Sequence, residues 1–437
     1  MFLLLIVFLL LLSGMIWRGL HYSRQRLVLF ELYCSIAILV LGVAPAGQYC
    51  LEQLIPAALV LNPMPISAGH YFGYALPLLA VICLAALGWR HSQSTTDASL
   101  LEQVVAQLKA QPYLPFLLLG LGILAQLTMP WLPPALRQVG HFGSMLFYVG
   151  SVHLLFWPGS WGIKAGVFVG LAAYLVYLTL SSTFFGDLLF WPLWLVLYGQ
   201  LYYRWSLRTL LLAAMVALVP VLFLLSFKYT YRAQVWDGKK HSFVHKLDAF
   251  QKAAQSQTQE TLLSPSWQKV LIRLNQGDHL AQVYAWVPRH EPYARGETLL
   301  AAIAASAVPR LFWPDKPGAG GEAIWYRFTG NKLLVSSMNI GIGGEAYANF
   351  GPWLALLVVF GYVSGLRWIY LGMRQLALQW YPALWLWMPL IFAGLIDQEN
   401  DFITQLNYGV KGIAFTLAMC WTLHKLCRYL WQSSGQK

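Results

Sequence analysis

Four cations, Arg310, Lys316, Arg327 and Lys332, follow one another closely in a stretch stiffened by Pro309, Pro314 and Pro317. Arginine forks onto phosphate oxygens in bidentate fashion, whereas lysine acts as a point charge. Such a set suits a diphosphate clamp, with Arg310 and Lys316 as the main contacts and Arg327 and Lys332 in support. The plainer alternative is a basic loop attracted to anionic lipid. Stiffening favours the clamp, because a transition-state binder gains from donors fixed in advance. Trp313 and Trp325 lie among these cations, where indole faces can stack on sugar rings.

Glu345 follows, in the run Gly343-Gly344-Glu345-Ala346-Tyr347-Ala348-Asn349-Phe350-Gly351. A carboxylate where a helix enters a membrane is partly desolvated, which shifts it toward the range of a general base. The alternative is a carboxylate that stabilises a helix N-terminus. Asp397, Glu399 and Asp401 alternate in a short connection, which reads as a solvated turn or as a binding site for an acceptor sugar. Lys411, inside an apolar run, needs a partner, and Asp397 or Glu399 is the expected one. Arg232, Arg273 and Arg295 are reserve contacts for phosphate or sugar. His241 and His245 have the i, i+4 spacing of a metal pair but no glutamate after the first histidine, so an exposed helix face is expected. His70 and His141 are reserve bases. Neither a metal nor a cofactor is expected.

The elements that must carry these residues are membrane helices. Of 437 residues 58% are hydrophobic and only 11% charged, against about 25% charged in soluble domains. Mean hydropathy is +0.56. Apolar runs recur at the length of about 20 residues that a ~30 Å hydrocarbon layer requires, and they lack the alternation of a barrel. The runs predict about eleven spans, at 1–17, 27–44, 71–89, 113–130, 143–157, 163–181, 185–202, 208–227, 347–368, 381–396 and 408–424. The run at 48–61 reads as a re-entrant or interfacial piece. The fold expected is all-α: a polytopic bundle with spans one to eight over 1–227, a large helical outer loop over 228–346, and spans nine to eleven over 347–437.

Arg18, Arg24, Arg26, Arg90, Lys109, Lys164, Arg204, Arg208, Arg367, Arg374, Lys425, Arg428 and Lys437 all fall on one side of such a bundle. Arg137 and Lys411 fall on the other. The positive-inside rule then puts the N-terminus outside, the C-terminus inside and the long loop outside. The N-terminal run lacks a basic lead and a cleavage site, and reads as a retained helix. The net charge of +12 is therefore mostly topology, which excludes nucleic acid as the expected partner. Within the loop, Phe243, Leu247, Phe250 and Ala254 recur at helical spacing, as do Trp267, Val270, Leu271 and Leu274, so two amphipathic helices are expected. Residues 297–308 form an apolar run too short to span, ended by Pro309.

The block from Pro309 to Pro317 and the block from Gly341 to Gly351 together resemble the oligosaccharide repeat-unit polymerases of the Wzy type, within the group of O-antigen polymerases and ligases. Gly321, separated from Arg310 by ten residues, matches an arginine–glycine spacing of that group. The turn Gln398-Glu399-Asn400-Asp401 departs from it, where an arginine is expected. The resemblance implies a GT-C-like helical scaffold in a bacterial inner membrane. It implies metal-independent, inverting glycosyl transfer from undecaprenyl-diphosphate-linked oligosaccharide, building O-antigen or exopolysaccharide on the periplasmic face. Arg310 and Lys316 would hold the diphosphate, Glu345 would be the base, and Arg327 and Lys332 would assist. Membrane lipids, a chain-length-regulating co-polymerase and a flippase are the partners it brings. An O-antigen ligase is the nearest rival; ligases of this group often rely on an outer histidine. A lipid-linked sugar transporter would need charges through the bundle and repeated halves, neither of which the chain has, and a non-catalytic assembly subunit would have no use for a rigid basic loop.

Overall fold

A computed structural model describes residues 1–88, 97–133, 136–182, 186–213, 215, 230–235, 241–257, 266–308, 312–313, 316–318, 321–332 and 338–434. Arg90, Arg310, Lys437 and most of the apolar run at 208–227 lie outside the described residues. In chain order the helices are α1 (Phe2–Tyr22), α2 (Leu29–Leu54), α3 (Ala68–Leu87), α4 (Ala98–Ala110), α5 (Leu114–Thr128), α6 (Arg137–Phe156), α7 (Trp161–Ser182) and α8 (Gly186–Tyr203). After these come α9 (Phe243–Gln257), α10 (Ser266–Leu274), α11 (Gln276–Trp286), α12 (Glu297–Ala307) and α13 (Glu322–Thr329). The last three are α14 (Gly341–Gln379), α15 (Pro382–Phe392) and α16 (Phe402–Ser434). Among the described residues there is no strand. Seven of these helices, α1, α2, α3, α5, α6, α7 and α14, are long and apolar enough to cross a bilayer, which marks a membrane protein.

Close backbone approaches set the packing. On α2 a π turn at Leu39–Val43 precedes Pro45, absorbing the missing N–H of the proline. The ring of Phe8 on α1 lies where a Cβ on Gly42 would meet it at 2.6 Å. A Cβ on Gly122 of α5 would come within 2.2 Å of the Phe147 nitrogen, and one on Gly150 within 2.8 Å of the Leu119 nitrogen. The α5–α6 hairpin therefore depends on small residues at its crossing. Residues 44–54 continue α2 as helix, so the expected separate piece at 48–61 is the end of α2 followed by a loop with one 3-10 turn at Ala57–Leu59.

The run at 381–396 differs from expectation. Pro382 and Pro389 confine it to 3-10 turns followed by a five-residue helix. Its residues from Ala383 to Phe392 are buried, with Trp385 and Trp387 fully enclosed. It is a core plug packed on α8 and α16: Tyr198 Oη donates to the Trp385 carbonyl at 2.6 Å and Tyr408 Oη to the Leu390 carbonyl at 2.8 Å.

Three connections meet at one end of the bundle. Asp97, buried, accepts from Arg374 Nε at 2.6 Å and from the Leu27 nitrogen at 3.0 Å. Arg26 pairs with Glu31, and Arg18 approaches the same carboxylate at 3.6 Å. The opposite end holds α10–α13, the start of α14 and the 397–401 turn. There α14 is broken at Gly351 (φ 72°, ψ −177°), a backbone state open to glycine and followed by Pro352. Both expected amphipathic helices form, as α9 and α10, and residues 297–307 form α12, which lies along α16. Leu300 and Ile303 of α12 are exposed.

Candidate functional site

Glu345 is fully buried. One carboxylate oxygen accepts from Thr298 Oγ1 at 2.6 Å, and the other accepts from the Phe402 nitrogen at 2.7 Å. Asn349 Nδ2 donates to Thr298 Oγ1 at 2.7 Å and to the Glu345 carbonyl at 2.8 Å, while the Gly296 nitrogen donates to Asn349 Oδ1 at 3.1 Å. The Phe402 N–H belongs to the first turn of α16, where no intrahelical acceptor exists. Glu345 thus supplies that acceptor and fastens α12, α14 and α16 together. A general base is expected at this position; here both of its oxygens are occupied within the protein.

The expected four-cation clamp is not assembled by the described residues. Lys316 is buried, and its Nζ donates to the carbonyls of Ala305 at 2.7 Å and Val308 at 2.8 Å. It caps the C-terminal end of α12, where carbonyls lack partners and the helix dipole is negative. Arg327 serves the other end: its guanidinium bonds Glu291 at 2.6 Å and both oxygens of Glu297 at 3.0 Å. Glu297 and Ala305 are eight residues apart on one helix, so the two cations bracket α12 across roughly 12 Å. Lys332 is exposed, with its ammonium 5.8 Å from the Tyr326 ring centre. Trp325 is buried with its edge to His279, so its faces do not meet an outer sugar, and Trp313 is half-buried against the core. Arg310 is among the residues not described.

The acidic turn is likewise committed. Asp401 Oδ1 accepts from the Thr404 nitrogen at 2.9 Å, capping α16, and the side chain is buried. Asp397 accepts from the Glu399 nitrogen at 3.0 Å and Asn400 Nδ2 at 3.2 Å. Burial, with the Glu399 charge adding to it, pushes Asp397 up to about 6. Glu399 binds Arg273, whose Nη2 lies 2.9 and 3.0 Å from its two oxygens, and also accepts from Gln276 Nε2 at 2.5 Å. Lys411 donates to Gln138 Oε1 at 2.5 Å rather than to the carboxylates expected, because Asp397 and Glu399 are turned to their own loop and to Arg273. Arg295 is exposed on a left-handed backbone (φ 51°), with its nitrogen bonded to the Asn349 carbonyl at 2.9 Å. Arg232 is half-buried near α9. His241 and His245 stack at 4.3 Å, and His70 bonds Ser67 at 2.9 Å.

The described residues do enclose a small cavity beside His279. It is lined by Gln276 and His279 of α11, Gly341, Gly343 and Gly344 of the first turn of α14, and Gln398, and otherwise by apolar side chains such as Leu41, Leu78, Ile82 and Val359. Asn275 caps α11 by accepting from the Asp278 nitrogen at 3.1 Å, which fixes the pitch of His279. His279 Nδ1 lies 3.1 Å from the Asn339 carbonyl. A carbonyl only accepts, so Nδ1 carries the proton and Nε2 keeps its lone pair. Burial lowers the His279 pKa, partly offset by Asp278 and Glu399, so the ring is neutral at neutral pH. Gln276 Oε1 is buried there without a protein partner, and Gln398 Nε2 has only the Tyr33 hydroxyl near it. Buried polar atoms are normally satisfied, so the unpaired Gln276 oxygen points to a small polar occupant. Gly341 is required twice over: its φ is 70°, and a Cβ would come within 2.8 Å of the Gln398 carbonyl. The opening turn of α14 lines this cavity, and Arg273, held by Glu399, is near enough to His279 to act on its charge.

A neutral imidazole acceptor beside carboxamide side chains can hold a hydroxyl and remove its proton. Sequence reading missed His279 because its partners are far away in the chain. The signal it did carry is the dense polar run Asn275-Gln276-Gly277-Asp278-His279 directly after an amphipathic helix. No curated protein and no solved structure matches the chain. A profile described as a domain of unknown function, DUF8712, matches residues 124–398, a span that takes in the whole of α11 and the opening of α14. Since that span is more than half of the 437 residues, the chain belongs to the DUF8712 family.

Proposed function

We propose that this protein is a membrane glycosyltransferase that moves an oligosaccharide from a lipid diphosphate to a hydroxyl acceptor, and that it joins repeat units into a polymer. The observation that carries the reading is the cavity lined by a neutral His279, whose Nδ1 is engaged by the Asn339 carbonyl, together with the side chains of Gln276 and Gln398. That chemistry fits a sugar hydroxyl, which offers both a donor and an acceptor. In this account His279, not Glu345, takes the acceptor proton as the hydroxyl oxygen bonds to the anomeric carbon. The diphosphate leaves with the electron pair of the broken bond. In this proposal the opening turn of α14, which lines the cavity, and Arg273 would meet that negative charge, and Arg310 remains the candidate for direct diphosphate contact from the resemblance.

The finer architecture belongs to the same proposal: about eleven spans on a GT-C-like scaffold in a bacterial inner membrane, N-terminus periplasmic, C-terminus cytoplasmic. The cavity would then face the periplasm, where undecaprenyl-diphosphate-linked units await transfer. One observation favours a ligase as the second reading: the accessible base is a histidine, as in ligases of the resembling group. Purified protein incubated with lipid-linked repeat units tests the choice. A ladder of products supports the polymerase, a single block moved to a different acceptor supports the ligase, and no transfer to either acceptor refutes both.

A further inference from the structure

An apolar groove of about 380 Å³ opens between α1, α2 and α8, lined by residues such as Leu12, Ile16, Leu32, Leu39, Val196 and Leu197. It lies at the end of the bundle opposite the His279 cavity. Arg374, at that end of α14, is 23 residues beyond Gly351, about 35 Å of helix and so about one bilayer thickness.

The groove is apolar along its length and polar at its closed end. Gln200 and Glu31 line it there, both buried, and Gln200 Oε1 and Glu31 Oε2 have no protein partner. Around that end the charge is strongly positive. The guanidinium carbons of Arg18 and Arg26 lie 5.2 and 5.0 Å from the Tyr22 ring centre, and both arginines share Glu31. Arg24 reaches across to the Trp205 carbonyl at 2.8 Å, next to exposed Arg204. Arg18 and Arg26 thus adjoin Glu31, and Arg24 and Arg204 adjoin the Gln200–Trp205 segment, behind the groove's lining. A greasy channel ending in fixed cations is complementary to an amphiphile with a negative head.

We propose that this groove is a binding site for one anionic phospholipid, its acyl chain between α1 and α8 and its phosphate against Arg18, Arg24, Arg26 and Arg204. Such a lipid would join peripheral α1, most of whose surface is unburied, to the rest of the bundle. The inference needs only that the chain sits in a bilayer and is independent of the transfer reaction.

The test is native mass spectrometry of the full chain exchanged into phosphatidylglycerol or phosphatidylcholine with identical acyl chains. Each arginine near an anionic surface favours binding by enough to predict a preference of roughly tenfold or more for phosphatidylglycerol. Ile16→Trp, which fills the groove from an exposed position, should abolish retention of either lipid. The pair Arg24→Gln and Arg204→Gln, outside the Glu31 network, should reduce the preference several-fold while leaving chain binding. Equal retention of the two lipids by the natural protein, or unchanged retention by a folded Ile16→Trp variant, overturns the proposal.

Discussion

Replacing Glu345 separates a structural carboxyl from a catalytic one. In Glu345→Ala the Phe402 N–H and the Thr298 hydroxyl both lose their acceptor inside a sealed site. A buried donor left unsatisfied costs about 1–3 kcal/mol, so the two together cost roughly 2–6 kcal/mol. In Glu345→Gln the amide oxygen can still accept from Phe402, and the amide nitrogen can donate to Thr298 Oγ1 once that hydroxyl rotates. Its cost should stay below about 1.5 kcal/mol. The assay is thermal unfolding in detergent, paired with hydrogen exchange at the Phe402 amide and with transfer activity. The expected order is a large loss of stability and faster Phe402 exchange for alanine, with near-normal folding and retained transfer for glutamine. An alanine variant that unfolds like the natural protein yet transfers nothing would refute the staple and restore Glu345 as the base.

Lys316→Met should fray the end of α12, at a cost of about 3–6 kcal/mol for two charged hydrogen bonds, read as faster exchange at residues 304–308. Asp397, pushed up from 3.8 to about 6, holds its proton more tightly folded than unfolded. Its favourable contribution is therefore complete below 3.8 and lost as pH rises through about 6. Asp397→Asn should remove that dependence, so the natural protein loses thermal stability relative to the variant between pH 4 and about 6, and parallel curves would contradict it. Glu297, held below the usual glutamate range by its hydrogen bond from Arg327, behaves in the opposite sense: its contribution is present above the ordinary value of 4.5 and fades in more acid solution. Hydrogen exchange in the first turn of α12 should rise there in the natural protein and not in Arg327→Met.

Periodicity and composition carried the helices well: the runs at 1–17, 71–89, 113–130 and 163–181 lie within or largely overlap α1, α3, α5 and α7, and the amphipathic spacing in the loop became α9 and α10. The run at 381–396 misled because hydropathy is the same for a residue facing lipid and one facing core tryptophans. The site was less legible for a related reason. Residue type announces that Lys316 or Glu345 can do chemistry, but not that a helix end eleven residues earlier, or an amide 57 residues later, already occupies it. His279 was hidden by the same blindness, since its ring is oriented by Asn339 and its surroundings are set by Glu399 and Gln398, brought together only when α11, α14 and the 397–401 turn converge.

The most direct measurement is the initial rate of glycan transfer from lipid-linked repeat units by purified protein carrying His279→Gln. A positioned general base contributes about 10²–10⁴-fold, so transfer should fall by at least about a hundredfold while unfolding stays near that of the natural chain. A His279→Gln protein that elongates glycan at the natural rate would contradict the account.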